Sequence, residues 1–250
     1  MNEENKKREE VANADPGSRY WRQLDLIDPI KLAEMPIHVI GCGGIGSAVA
    51  LYAAKMGAQN ITVWDFDIFE IHNLPNQMCR IKDLNKNKAE AVADMIKDFE
   101  DIEVEPIPEK FDGDIEPNAV VIMAVDSMKA RKEIWEMLKK SMANIVIDGR
   151  MGLTALNVYS VIPTNKLQVN FYEKTLWNDE EVAEVPCTAK ATIFTAGTIA
   201  SLICGHLAKL AKKEISPIPC EIAMEMMSLY TKVVDHKGQV LMETTLMEDF

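Results

Sequence analysis

A glycine-rich segment constrains the fold of this chain more than any other feature of the sequence. Gly41-Cys42-Gly43-Gly44-Ile45-Gly46 follows a short apolar run at residues 37–40 and precedes an Ala-rich amphipathic stretch at residues 45–56. This order predicts a buried strand, a tight turn and a helix. Backbone N–H groups and the positive end of a helix can bind phosphate at such a turn. The glycines expected to allow this approach are Gly41, Gly43, Gly44 and Gly46.

Strand and helix patterns alternate over the first 150 residues and then give way to β-rich segments. Such alternation predicts a parallel sheet with helices on both faces. We therefore expect an α/β fold with a Rossmann-like, mostly parallel sheet, continued by an antiparallel β-rich second half. Helices are predicted at residues 19–34, 45–56, 88–99, 129–142 and 188–212, and strands at residues 37–40, 61–64, 103–107, 119–124, 144–147, 155–162, 168–172 and within 220–250.

The domain organisation follows from the same patterns. Residues 1–18 are charged and end in Asp-Pro-Gly-Ser, which predicts a mobile arm ahead of a single domain over residues 19–250. Within that domain we expect a nucleotide-binding half at residues 19–150 and a substrate-facing half at residues 151–250.

Charge and composition narrow the classes of function. The net charge of −12 disfavours nucleic acid as a partner, because phosphate contacts dominate such binding. The longest apolar stretches fall short of the roughly 20 residues that a membrane span needs, so no membrane segment is predicted. The polar start carries no secretory signal, which favours a cytoplasmic protein. Five cysteines without a CxxC pair predict reduced thiols and no zinc site.

A carboxylate after the second predicted strand completes the minimal signature of a nucleotide site. Asp65 lies 24 residues after Gly41, where it could accept hydrogen bonds from a ribose diol. A dehydrogenase that binds a nicotinamide dinucleotide would show the same loop and the same acid. These features therefore leave a dehydrogenase open.

Further motifs give the chain a resemblance to the ThiF/MoeB/E1 family of activating enzymes. The matching segments, in chain order, are Arg19-Tyr20-Trp21-Arg22-Gln23 (RYxRQ), Gly41 to Ser47 (GxGGxGS), Asp65-Phe66-Asp67 with Asn73-Leu74-Pro75-Asn76-Gln77 (DxD…NLxRQ), Lys86-Asn87-Lys88-Ala89 (GKxKA) and Val125-Asp126 with Arg131 (TDxxxxR). The resemblance extends more loosely through Pro186-Cys187-Thr188-Ala189 and is thin after Cys220.

The resemblance implies that the chain uses ATP and Mg²⁺ to adenylate a carboxylate, with the C-terminus of a ubiquitin-like protein or a peptide as the favoured substrate. It implies that Lys88 neutralises phosphate oxygens, Asp126 holds Mg²⁺ and Asp65 fixes the ribose. Outside such a site, Lys88 would be an ordinary solvated lysine and Asp126 a helix N-cap. The remaining implied nucleotide contacts are Asp67, Asn73 and Gln77.

One departure from the family pattern bears on activity. Asn76 stands where the family has the arginine of NLxRQ, so a cation that contacts the triphosphate is missing. Arg80 is the candidate replacement. If nothing replaces this charge, the chain is a degenerate, non-catalytic subunit that supports an active partner.

Two further residues have implied roles. In the family the arginine equivalent to Arg22 completes the site of the neighbouring subunit, which predicts a homodimer. Cys187 matches the position at which sulfur-transferring relatives attack the acyl adenylate, so it is a candidate nucleophile. Activation of a small molecule or a tRNA nucleoside remains an alternative from the same fold, with tRNA disfavoured by the net charge.

Overall fold

The structure is a computed structural model that describes residues 19–176, 192–212, 218–226 and 230–244. It contains strands β1 (Ile37–Ile40), β2 (Ile61–Trp64), β3 (Glu105–Ile107), β4 (Val120–Met123), β5 (Ile145–Gly152), β6 (Ala155–Val161), β7 (Glu221–Glu225), β8 (Tyr230–Val234) and β9 (Val240–Thr244). Its α-helices are α1 (Pro29–Glu34), α2 (Gly44–Met56), α3 (Lys88–Glu100), α4 (Met128–Leu138), α5 (Lys166–Glu173) and α6 (Ile193–Lys212).

The nine described strands form one continuous sheet in the order β3-β2-β1-β4-β5-β6-β7-β8-β9. Strands β1 to β5 are parallel, and every pairing from β5–β6 to β8–β9 is antiparallel. Chain order reverses between β1 and β4, which makes this pair the topological switch point. Ligands of open α/β sheets bind outside the carboxyl ends of the strands at such a point.

Helices cover both faces of the sheet, as the sequence predicts. Helices α1, α2, α3 and α6 contribute to the apolar core on one face, while α4 and α5 pack on the other. Strands β1, β2 and β4 are buried on both faces, which explains why their sequences are almost continuously apolar. The predicted α/β fold, with a parallel first part and an antiparallel continuation, is confirmed.

Helix α6 is the one helix in the described parts of the chain that is long and apolar enough to cross a membrane. Half of its most apolar window is buried inside the protein, mainly by packing against α2. A core helix passes the same test of length and hydropathy.

Two predicted elements were wrong. Residues 19–34 do not form one helix, because Asp28 caps α1 and Pro29 occupies its first turn, leaving a short 3-10 helix at Trp21–Gln23 ahead of it. The predicted strand at residues 168–172 is part of helix α5, whose N-cap Asn165 accepts hydrogen bonds from two backbone N–H groups. Local capping decided the conformation in both places.

Candidate active site

The glycine turn between β1 and α2 is built so closely that side chains are excluded from it. Gly41 has φ +94°, and a Cβ there would lie 2.7 Å from the carbonyl oxygen of Ala124. A Cβ on Gly46 would lie 1.7 Å from the carbonyl oxygen of Gly41. At Gly43, by contrast, a Cβ would have no atom of the described residues within 4 Å. The turn is therefore closed toward the sheet and open at Gly43, where a phosphate could reach the backbone.

Asp65 fixes the glycine turn to the end of β2. Its Oδ2 accepts from the backbone N–H of Cys42 at 2.6 Å, and its Oδ1 accepts from that of Asp67 at 2.8 Å. Burial raises the pKa of Asp65. Each carboxylate oxygen keeps a further lone pair, so the position suits a ribose diol. The Cys42 thiol is fully buried and its pKa lies well above the usual value, which makes it unreactive.

Lys88 is held at the same edge of the sheet as Asp65. Asn87 caps α3 and its Nδ2 donates to the carbonyl oxygens of Asp65 and Asp67 at 2.9 and 3.1 Å. The Lys88 ammonium lies 3.2 Å from Asp67 Oδ2, and its side chain is 11% exposed. Lys88 is thus a largely covered cation directed at the nucleotide edge. The contribution of Asn87 was missed, although an Asn followed by Glu90 is a typical N-cap signal.

Ser47 links the glycine turn to the segment that contains Asn76. Its Oγ donates to the Gly43 carbonyl oxygen at 2.6 Å and accepts from the Met78 backbone N–H at 3.0 Å. A Cβ on Gly44 would lie 2.8 Å from the Asn76 carbonyl oxygen. The segment therefore packs directly on the first turn of α2.

Two side-chain oxygens in this segment are buried without a hydrogen-bond partner among the described residues, Asn76 Oδ1 and Gln77 Oε1. Asn73 is different, because its Oδ1 accepts from the Glu70 backbone N–H at 2.9 Å in a local capping box. Buried acceptors are normally satisfied, so the two orphaned oxygens fit a bound ligand that brings hydroxyl or amine donors. A nucleotide carries both.

Asp126 lies just beyond the carboxyl end of β4, at the switch point. The N-cap of α4 is Ser127, whose Oγ accepts from the Ala130 N–H at 3.1 Å, so the alternative role of Asp126 as the cap is wrong. Asp126 is exposed, and no hydrogen bond or ion pair engages its carboxylate among the described residues. The part of the chain that the structure describes contains no group of three His, Cys, Asp or Glu side chains that could hold a metal. A single carboxylate suits Mg²⁺, which binds mainly through water and substrate phosphates.

Arg80 is engaged away from this edge. Its guanidinium donates to both carboxylate oxygens of Asp83, at 2.6 and 2.8 Å, and also to Asp98. These contacts raise the pKa of Arg80, and Asp83 is fully buried. A substituting role at the triphosphate would require Arg80 to leave two carboxylates.

Arg22 lies away from this edge of the sheet. Arg22 is exposed and stacks over the Trp21 ring at 5.3 Å. The neighbouring Gln23 donates from Nε2 to the Met56 carbonyl oxygen at 2.6 Å, which ties this segment to the C-terminal end of α2. The glycine turn is at the opposite end of that helix. Cys187 lies outside the described residues.

Comparisons with known proteins match this chain to one family over most of its length. The ThiF family model matches residues 21–238. The chain is 36% identical over 85 residues to the adenylyltransferase and sulfurtransferase MOCS3 of Xenopus laevis, covering 32% of this chain and 19% of that protein. It is 29% identical over 129 residues to the sulfur carrier protein ThiS adenylyltransferase of Escherichia coli, covering 46% of this chain and 51% of that protein.

A solved structure shares the fold. The crystal structure of E. coli MccB with ATP superposes with a TM-score of 0.68 at 17% identity, covering 90% of this chain and 73% of that one. The chain thus spans from about a fifth to about half of the two curated relatives described above. The family model matches most of the chain, and the glycine turn, Asp65, Lys88 and Asp126 meet at one edge of the sheet. The chain belongs to the ThiF family.

Proposed function

We propose that this chain binds ATP with Mg²⁺ and adenylates a carboxylate, most specifically the C-terminal carboxylate of a ubiquitin-like protein or a peptide. The observation that carries the proposal is the open face at Gly43 beside Asp65, Lys88 and Asp126 at the switch point of the sheet. A dehydrogenase would need the same turn, but the family match removes that alternative.

Each of the residues at this edge of the sheet has a separate role in the reaction. Backbone N–H groups at the start of α2 and the Lys88 ammonium stabilise phosphate charge as the substrate carboxylate attacks the α-phosphorus and pyrophosphate leaves. Asp65 orients the ribose. Asp126 supplies a hard oxygen ligand for Mg²⁺, whose chemistry is to neutralise charge on the leaving pyrophosphate. None of these steps requires a protein group to change its protonation state.

The substrate class is inferred from relatives and from charge. The name of the E. coli relative assigns it a sulfur carrier protein as substrate. The net charge of −12 suits a partner with a basic face. Cys187 remains the candidate second nucleophile. Its thiolate would attack the acyl carbonyl of the adenylate, form a thioester and release AMP. Intact-mass spectrometry would detect that adduct as a mass increase that thiol reductant reverses and that Cys187→Ala lacks.

The test is carboxylate-dependent exchange of pyrophosphate into ATP, with Gly-terminated peptides and small ubiquitin-like proteins as acceptors. Asp126→Ala should lower the exchange rate by at least about a hundredfold, because residues that merely support metal ligands already cost up to that much. Glu133→Ala removes an exposed carboxylate from α4 and serves as the matched control. Wild-type protein that neither binds ATP nor exchanges pyrophosphate would overturn the proposal.

A second candidate function has specific support. Asn76 replaces a cation, and Arg80 is paired with two carboxylates, so the triphosphate would meet fewer positive groups than in a fully active family member. The chain would then be a non-catalytic subunit that supports an active partner. Nucleotide binding without exchange, together with tighter ATP binding by Asn76→Arg, would favour this function over catalysis.

A further inference from the structure

A buried carboxylate outside the site already discussed joins two arginines beneath the switch point. Asp148 on β5 is fully buried. Its Oδ1 accepts from Arg131 Nε at 2.8 Å, and its Oδ2 accepts from Arg150 Nε at 2.7 Å and from the Tyr172 hydroxyl at 2.9 Å. Both arginines are buried, at 4% and 8% exposure. Burial alone would raise the pKa of Asp148, but the two arginines hold it below its usual value.

Each arginine reaches from Asp148 to a different segment of backbone. Arg131 Nη2 donates to the carbonyl oxygen of Val125 at 2.6 Å, one residue before Asp126. Arg150 donates from Nη1 to the carbonyl oxygen of Thr175 at 2.8 Å and from Nη2 to its hydroxyl at 3.0 Å. One carboxylate therefore fixes the β4–α4 turn on one side and the end of α5 on the other.

The free energy lost by burying three charged side chains indicates that the network holds the backbone in position and does not only stabilise the fold. Charged groups lose hydration on burial, and apolar residues of similar volume often give equal or greater stability. A guanidinium clamped by a carboxylate, however, fixes the backbone oxygen it contacts much more closely than packing would. Arg150 also lies over the Tyr159 ring at 4.3 Å, which restricts it further. The β4–α4 turn is also held by the Ser127 cap and, at its start, by the Ala124 backbone N–H, which donates to the Ile40 carbonyl oxygen at 2.8 Å.

We propose that Asp148 is a positioning residue that acts through Arg131 to set the β4–α4 turn, and with it the Asp126 carboxylate, for Mg²⁺·ATP. The inference deepens the proposed function and rests on it for the role of Asp126. Asp148 is fully buried and bonded to Arg131, Arg150 and Tyr172, so we expect it to contact neither nucleotide nor metal. Its effect should therefore appear in the mobility of the turn and in the Mg²⁺ dependence of ATP binding.

Positioning can be measured on the free protein by amide hydrogen exchange. In Asp148→Asn, peptides covering residues 124–128 should exchange at least about tenfold faster, because the turn gains a low-energy opening. Arg131→Lys keeps a cation beside Asp148 but lacks the planar fork that reaches Val125. It should give the same acceleration with a smaller loss of stability. Arg150→Lys should loosen the backbone around Thr175 and leave residues 124–128 unchanged.

The consequence for the site is measured by titrating ATP binding against Mg²⁺. Asp148→Asn and Arg131→Lys should raise the Mg²⁺ concentration that gives half-maximal ATP affinity by about tenfold, in the range known for residues that support metal ligands. Ser160→Ala is the control, because it removes a buried hydrogen bond to His206, 3.1 Å long, in another part of the core. Its Mg²⁺ dependence should match the wild type.

The outcomes separate this inference from the proposed function. Unchanged exchange at residues 124–128 in both variants would overturn the positioning role, whatever the nucleotide data show. Faster exchange with a Mg²⁺ dependence like that of Ser160→Ala would overturn the link to Asp126. If the wild type binds no ATP, the proposed function fails, while hydrogen exchange still decides whether Asp148 positions the turn.

Discussion

Gly41 and Gly46 meet at the centre of the glycine turn, and neither position admits a side chain. A Cβ on Gly41 would lie 2.7 Å from the carbonyl oxygen of Ala124. The Gly41 carbonyl oxygen occupies the place where a Gly46 Cβ would stand. Gly43 has the opposite environment, with open space on the side where a ligand would approach. The three glycines therefore have different tasks, two in closing the turn and one in admitting a phosphate.

Substitution by alanine should separate these tasks. Gly46→Ala should lose more than about 3 kcal/mol of unfolding free energy, because the turn must be rebuilt to relieve the overlap. Gly43→Ala should lose less than about 1 kcal/mol, the usual scale of an N-cap change. It should nevertheless bind ATP about tenfold more weakly, since a methyl group would keep phosphate from a backbone N–H. Urea unfolding and calorimetric titration measure the two effects. Equal losses of stability in both variants would contradict this division.

The sequence was most informative at residues that belong to one recognisable βαβ unit. The glycine turn and Asp65 follow from spacing along that unit, and the structure brings them within hydrogen-bonding distance. Arg80 is the contrasting case, because its contact with Asp98 on α3 follows from no such pattern. Asp148 and Arg150 were missed, since alternate residues of a buried strand carry no local signal of a charge network. Arg131 was identified only as part of a family motif.

At the scale of elements, most strands and helices of the first half could be predicted from apolar runs, glycines and caps. The error at α5 has a definite cause. Gln168 and Tyr172, four residues apart, are buried against β6 and α4, while Leu167 is exposed. A short apolar run with β-favouring residues is ambiguous between strand and helix. The cap at Asn165 resolves that ambiguity in favour of the helix.

The contribution of the Asn165 cap to stability can be measured. Asn165→Ala should lower the free energy of unfolding by about 1 kcal/mol, because two N–H groups at the start of α5 lose their acceptor. Asn165→Ser keeps an acceptor oxygen and should change stability by only a few tenths of a kcal/mol, so it is the matched control. Thermal unfolding of both variants gives the comparison. An alanine variant as stable as the serine variant would show that tertiary packing alone holds α5.

At the scale of the whole molecule, the N-terminal segment lies far from the glycine turn of its own chain. Gln23 bonds to the end of α2, and Arg19 pairs with Glu100 at 2.6 Å. Helix α2 has 13 residues, so its two ends are about 20 Å apart. An arginine side chain cannot cover that distance. If Arg22 contributes to a triphosphate site, that site belongs to another copy of the chain.

We therefore expect a homodimer in which Arg22 acts across the interface. Equal mixtures of Arg22→Ala and Asp126→Ala proteins should regain about a quarter of wild-type exchange, because half of the dimers are mixed and each has one complete site. Each variant alone should be nearly inactive. Size-exclusion chromatography with light scattering checks that both variants remain dimeric. Folded, dimeric variants that give no rescue on mixing would rule out the shared site.

Strand β5 pairs with β4 in parallel and with β6 in antiparallel register, so both parts of the sheet depend on its alignment. Gly149 faces α2 and α6, where a Cβ would lie 2.9 Å from Ile199, while Asp148 and Arg150 face the opposite layer. Deleting one residue of β5 ahead of Asp148 would reverse the direction of the following side chains, so that Asp148 and Arg150 would face the apolar layer formed by α2 and α6. In homologous sequences, insertions and deletions should therefore be rare in β5. They should collect instead beyond β7, where the exposed edge strand β9 can change length without shifting any other pairing.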